Sequence, residues 1–424
     1  MKKILVGAVG VAVLAGAAYA GGCWFTGSQY DSNVAKQLVQ LNQQNGVKAQ
    51  WVPGQSGLTA RHGVLQVTLA PEFFAQFGGP ADAKPVELFF NVQQAVAPLY
   101  LRGEATLDQS KGSIAGILQQ LKLKAIPHQL SWSYNALTQG TTADVSVDSW
   151  KLDLPTAKVD FAKFQLHSQG KVNSEADVTF SWDGLNVSDE QQQFYLAPSK
   201  GQAHLNRVAN AWVSPQNSFE LQGLKFVDPE SSVTLDKLVS SGSIDEQSKQ
   251  DAKLDMSYQT QIASLKVENP SYPFVIDNFA LGLKLTGLDK SSYMSLVEQS
   301  GQQHVDEAKT MAALEQLLKK GAGLTLSDLS LNFNKANLQA KGKLDLAAND
   351  KLEVANIPSL LAQLKGQLDL VAAKELVAMV PNGQQMLAPM MSAGYIKQGA
   401  DGKLSVQLKL ADSKATANGL PLPL

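Results

Sequence analysis

The chain has 424 residues, 44% apolar and 17% charged, with 36 basic against 38 acidic side chains and a net charge of −2. That balance excludes a disordered chain, and with no block of Lys and Arg it argues against nucleic acid as the main partner. Cys23 is the sole cysteine, so neither an intramolecular disulfide nor a thiolate metal cluster can form.

At the amino end Lys2 and Lys3 precede an uncharged apolar run of 22 residues that begins Ile4, Leu5, Val6 and closes on Trp24 and Phe25. Such a run suffices for a hydrocarbon core of about 30 Å, and the lysines would stay on the cytoplasmic side. Residues 1–27 are therefore expected to act as a signal anchor or signal sequence, placing the remainder in the periplasm. Three fates are open: retention as a single inner-membrane anchor, with Trp24 and Phe25 as its interfacial pair; cleavage after the small-x-small triplet Ala18-Tyr19-Ala20; and lipidation of Cys23.

Val34, Leu38 and Leu41 then share one face of a short helix, read as a stalk over 28–48 that carries the chain away from the bilayer. Period-two alternation follows. Leu65, Val67 and Leu69 form a strand closed by Pro71, and Leu130, Trp132 and Tyr134 form another. Val145 and Val147 continue into Trp150, Leu152 and Leu154 across a one-residue slip that predicts a bulge. Val178, Phe180 and Trp182 alternate next. A β-rich region is expected over 49–240, and the Ser-rich stretch Ser240–Ser248 is the best boundary or solvated loop.

Beyond it, Leu254, Met256, Tyr258, Thr260 and Ile262 predict a long strand that pairs as a hairpin with Phe279, Leu281, Leu283 and Leu285 through Asn269-Pro270. A helix is expected over 291–320, capped by Asp289 and broken by Gly321 and Gly323. Alternation resumes at Leu329 and again at Leu338 and Leu364, before a second helix over 371–380 stopped by Pro381. Turns are predicted at Asp401-Gly402 and Asn418-Gly419. Strand, turn, strand and helix recur in that order from Leu254 to Lys320 and from Leu329 to Val380, as an imperfect repeat or a plain meander. The region 241–424 is thus β-rich with helical insertions, and the fold class is mainly β with a few helices (α+β): a long, twisted, curved antiparallel sheet or two related sheets, plus an N-terminal membrane helix.

Chemistry is sparse. His62, His128, His167, His204 and His304 are scattered without metal-ligand spacing, and no nucleophile elbow, phosphate loop or dinucleotide fingerprint occurs. Asp144 and Asp148 stand four apart on one strand face, where two carboxylates could serve as acid and base or simply form the wet side of a sheet. Arg61-His62-Gly63 reads as a turn into the strand at Leu65. No catalytic residue, metal or cofactor is assigned, and no binding residue is singled out. The repeated one-sided alternation does create an apolar sheet face that helices, a second sheet, a partner or acyl chains must cover. If the two helical insertions cannot cover it, lipid or protein binding is favoured.

Lys2-Lys3, the apolar run, Trp24-Phe25-Thr26-Gly27, and Arg61-His62-Gly63-Val64 entering a strand resemble the YdgA-like family of Gram-negative envelope proteins. The likeness extends through Leu254–Val267, Leu281–Leu296, Asp401-Gly402-Lys403-Leu404 and Asn418-Gly419. It implies an exported inner-membrane protein able to self-associate as a homo-oligomer, and no catalytic residues. The expected function is a membrane-tethered, noncatalytic scaffold or a lipid- or protein-binding β surface, with an envelope hydrolase using gathered carboxylates as the alternative. Its partners would be the inner membrane, a second copy, lipid or another envelope protein.

Overall fold

A computed structural model describes residues 23, 25–39, 41–43, 46–75, 84–154, 157–208, 211–246, 252–300, 307–352, 357–378 and 383–422. Lys2, Lys3, Ile4, Leu5, Val6, Ala20 and Trp24 lie outside these residues; Phe25 lies within them. Among the described residues no helix is long and apolar enough to cross a membrane. Two compact units divide the chain, one reaching to Asp183 and taking in Leu205–Arg207, the other comprising Gly184–His204 and the described residues from Val208 on.

The first unit opens with helix α1 (25–39), followed by β1 (Val47–Ser56), β2 (Ala60–Leu69), α2 (Pro71–Ala75), β3 (Val86–Ala97) and β4 (Tyr100–Leu107). Then come α3 (Gly112–Leu121), β5 (His128–Asn135), β6 (Gly140–Val147), β7 (Trp150–Leu154), β8 (Ala157–Phe161), β9 (Phe164–Lys171) and β10 (Glu175–Trp182). The antiparallel ladder runs β1-β2-β3-β4-β5-β6-β9-β10. One face carries the row Val92, Ala105, Leu130, Val145, Leu166, Phe180. The adjacent row on the opposite face reads Gln93, Glu104, Ser131, Asp144, His167, Thr179, which is the strict alternation of a half-wet antiparallel sheet. Val147 and Trp150 are not joined by a bulge: β6 ends at Val147, the Asp148 N–H turns to the Pro127 carbonyl, and β7 pairs with β8 outside the ladder.

In the second unit the elements are β11 (Leu185–Ser188), β12 (Gln193–Leu196), β13 (Ser199–Val208), β14 (Ala211–Val227), β15 (Ser232–Glu246), β16 (Lys253–Glu268) and β17 (Phe274–Asp289). Helices α4 (Lys290–Ser300) and α5 (Glu307–Lys319) follow, then β18 (Ala322–Phe333), β19 (Ala336–Leu346), α6 (Ile357–Gln363) and β20 (Leu364–Ala372). The chain closes with α7 (Lys374–Ala378), α8 (Gly383–Ser392), β21 (Lys397–Gln398), β22 (Leu404–Ala411), β23 (Lys414–Ala417) and β24 (Leu420–Leu422). From β14 through β20 and on to β22 and β24 each strand pairs antiparallel with the next in the ladder. The expected hairpin of Leu254–Ile262 with Phe279–Leu285 is β16 against β17.

Three expectations are revised. Ser240 to Glu246 is strand rather than loop: Ser240 and Gly242 sit opposite Phe219 and Tyr258, where small residues leave room for large partners. The insertion at 291–320 is two helices, with 301–306 outside the described residues. The helix expected over 371–380 begins only at Lys374, since Val371 and Ala372 continue the ladder against Ser405 and Leu404.

Candidate functional site

Helix α1 is no free stalk. It and the residue two before it dock on the sheet: Cys23 is fully buried with Val96, Leu101, Tyr134 and Ala136, and its Sγ–H points at the Val96 carbonyl, 3.7 Å away. The buried Thr26 Oγ1 accepts the Leu99 N–H at 2.7 Å. Tyr30 stacks obliquely on Tyr134, 5.9 Å between ring centres, and its hydroxyl accepts from Gln94 Nε2 at 3.1 Å. Tyr134 in turn donates to Gln29 at 3.1 Å and accepts from Asn33.

The Arg61 guanidinium completes the joint by donating to the Gly27 carbonyl at 3.1 Å and to the Asp31 carboxylate. It lies flat on Gly27, where an added methyl would come within 2.2 Å of a guanidinium nitrogen. Burial pushes the Tyr30 phenol from its ordinary value of 10 up to about 12, so it stays neutral. The packed Cys23 thiol has no space for a lipid adduct while this first turn is docked. Arg61, expected in a turn, is on β2, and His62 beside it is exposed.

The carboxylates are not gathered. Asp144 pairs with His167, Oδ1 to Nδ1 at 2.7 Å, on the wet face, both side chains about half exposed. Asp148 falls beyond the end of β6. Among the described residues no hydroxyl bonds the other ring nitrogen of His167, and no group of three or more His, Cys, Asp or Glu could hold a metal. His128 is structural: its Nε2 accepts the Leu107 N–H at 2.8 Å, and its Nδ1–H points to the Ile126 carbonyl at 2.8 Å. His304 lies outside the described residues.

The strongest binding geometry is in the second unit. The register places Ile244, Met256, Leu285, Leu324, Leu344, Gly366 and Leu410 in one cross-strand row, and Gly242, Tyr258, Leu283, Leu326, Gly342, Leu368 and Leu408 in the next on the same face. The opposite face reads Ser243, Ser257, Lys284, Thr325, Lys343, Gln367, Lys409. Helices α4 and α5 cover only one end of the apolar face, where Leu254, Leu288 and Leu317 are buried with Tyr293, Met294 and Leu296 around them.

Past that end a groove of about 530 Å³ opens between α4 and the sheet, walled by Trp212, Met256, Tyr258, Leu283, Leu285, Tyr293 and Leu324. Trp212 and Tyr258 remain 42% and 45% exposed, Leu285 and Leu324 37% and 38%, and Leu408 farther along the face 36%. Alternation in the sequence shows the apolar face; that its helices fall short of covering it depends on where they dock, which local pattern does not encode.

No curated protein and no solved structure matches the chain. One family model, described as bacterial protein of unknown function (DUF945), matches residues 1–66 and 130–424. The unmatched 67–129 hold β3 and β4, which supply Val96 and Leu101 to the α1 joint. With most of its length matched, the chain belongs to the DUF945 family of bacterial proteins.

Proposed function

We propose that this is a membrane-tethered, noncatalytic protein of a Gram-negative inner membrane, YdgA-like, with its body in the periplasm and its second-unit apolar face a seat for lipid acyl chains. The open groove beside α4 is the observation that carries this reading. Tyr258, Leu285, Leu324 and Leu408, each more than a third exposed within two consecutive cross-strand rows, are more apolar surface than a solvated sheet face needs, and the absence of charge along both rows suits hydrocarbon better than a polar ligand. A second copy laid on the same face is the competing occupant.

The test is gentle extraction of the full chain from membranes followed by mass spectrometry of what copurifies. Phospholipid or lipopolysaccharide is expected with the native chain and lost in Leu285→Asp/Leu324→Asp. Native chain free of lipid removes the lipid reading; a homo-oligomer that the double variant dissociates assigns the face to a second copy. The tether is checked separately by alkaline phosphatase fused after Gly27, expected to be active.

A further inference from the structure

We infer that one end of the first-unit sheet lies on the bilayer surface, its hairpin tips dipping apolar side chains among the lipid headgroups; this deepens the tether reading and rests on it. In an antiparallel ladder the turns after alternate strands emerge at one end, and here the β1–β2, β3–β4, β5–β6 and β9–β10 tips do so. Three of them carry an outward leucine: Leu58, Leu99 and Leu137, exposed by 46%, 40% and 74%, with Tyr100 beside Leu99 at 45%.

The tips form one continuous rim, because Val96 N–H donates to the Thr59 carbonyl, Ala136 to Leu99 and Val172 to Gln139, at 2.8–3.0 Å. Residues 55–60, 96–100, 135–140 and 172–174 include no charged side chain, and the charges that flank them are paired, Arg61 with Asp31 and Lys171 with Glu175. Isolated exposed leucines are ordinary. Three on adjacent tips whose turns hold no charge are a patch.

What covers the patch follows from where the apolar run meets the unit. Its described end meets the unit at this rim: Cys23 packs on Val96, Leu101 and Ala136, the Thr26 hydroxyl accepts the Leu99 N–H, and Phe25 is 41% exposed. In the sequence the apolar residues 4–22 run directly into the docked Cys23, so a tether built from them leaves no linker to lift the rim away from the headgroups. Leucine and tyrosine are side chains that such a layer accepts.

The test uses the full chain with Cys23→Ala, reconstituted in phosphatidylethanolamine–phosphatidylglycerol vesicles, with a single nitroxide-labelled cysteine at Leu58, Leu137 or, as the far-end control, Ser149. Paramagnetic collision measurements are expected to give an oxygen-to-nickel-chelate accessibility ratio severalfold higher at 58 and 137 than at 149. Equal ratios on a chain that floats with the vesicles overturn the rim and leave the tether standing. A chain that does not float with vesicles overturns both. Spin–spin broadening between copies at 58 or 137 without raised oxygen contact assigns the tips to a second copy and overturns the inference.

Discussion

Arg61 holds helix α1 by a contact that only glycine permits on the other side. Its guanidinium covers Gly27, so Gly27→Ala forces the arginine off while the Gly27 carbonyl loses its donor. Arg61 is largely buried and Asp31 mostly exposed, so the carbonyl bond outweighs the ion pair, and Arg61→Ala is expected to cost about 1–2 kcal/mol. Because Gly27→Ala acts through Arg61, its cost should shrink in the Arg61→Ala background. Urea unfolding of the four chains in the cycle reads that coupling, and strictly additive costs would refute the contact.

Tyr30 gives the joint a pH signature. Its phenol binds its proton more tightly folded than unfolded, so its contribution is complete below pH 10 and drains away between 10 and about 12. At about 1.4 kcal/mol per tenfold change in proton affinity, the loss is capped near 3 kcal/mol. Tyr30→Phe should remove this alkaline component of the unfolding curve while costing about 1 kcal/mol at neutral pH for the Gln94 bond.

Among elements, α4 matters most because it walls the groove. Its first turn is held by Asp289, whose Oδ1 accepts the Ser292 N–H at 2.8 Å and the Ser291 and Ser292 hydroxyls at 2.7 Å. Burial opposes ionisation, yet these bonds hold the carboxyl below the usual carboxylate range, so the cap acts in full at neutral pH and fails as the solution becomes acidic. Asp289→Ala should cost about 1 kcal/mol and speed amide exchange over 290–300 before it affects β16 or β17.

That cap was legible in sequence, as were the β16–β17 hairpin and the Asn418-Gly419 reversal, where both residues take positive φ, 50° and 86°. Each is set by neighbours a few residues apart. The docking of α1 was not legible: Val34, Leu38 and Leu41 read as a stalk, whereas Cys23, Thr26, Gly27 and Tyr30 make the contact through partners 34 to 113 residues distant. Small and polar residues leave no hydrophobic periodicity to read. Asp144 was legible as part of a wet row, but its partner His167 arrives only through the β6–β9 pairing across an intervening hairpin.

At the scale of the molecule, the second-unit sheet separates stability from surface in a way that two substitutions can expose. Leu254 is 1% exposed beneath α4 and α5, so Leu254→Ala should cost about 2–5 kcal/mol, the usual range for a buried leucine that leaves a cavity. Leu285 and Leu324 face each other on β17 and β18 in the same sheet yet are more than a third exposed, so they add little to the core. Charging them as Leu285→Asp/Leu324→Asp should shift the unfolding midpoint by far less than Leu254→Ala. The native chain, cleared of lipid, should bind the dye anilinonaphthalene sulfonate at the open groove, and the double variant should not. Comparable destabilisation by both changes, or dye binding that the charges leave untouched, would mean that these rows belong to a closed core, and a groove filled by its own side chains could not seat an acyl chain.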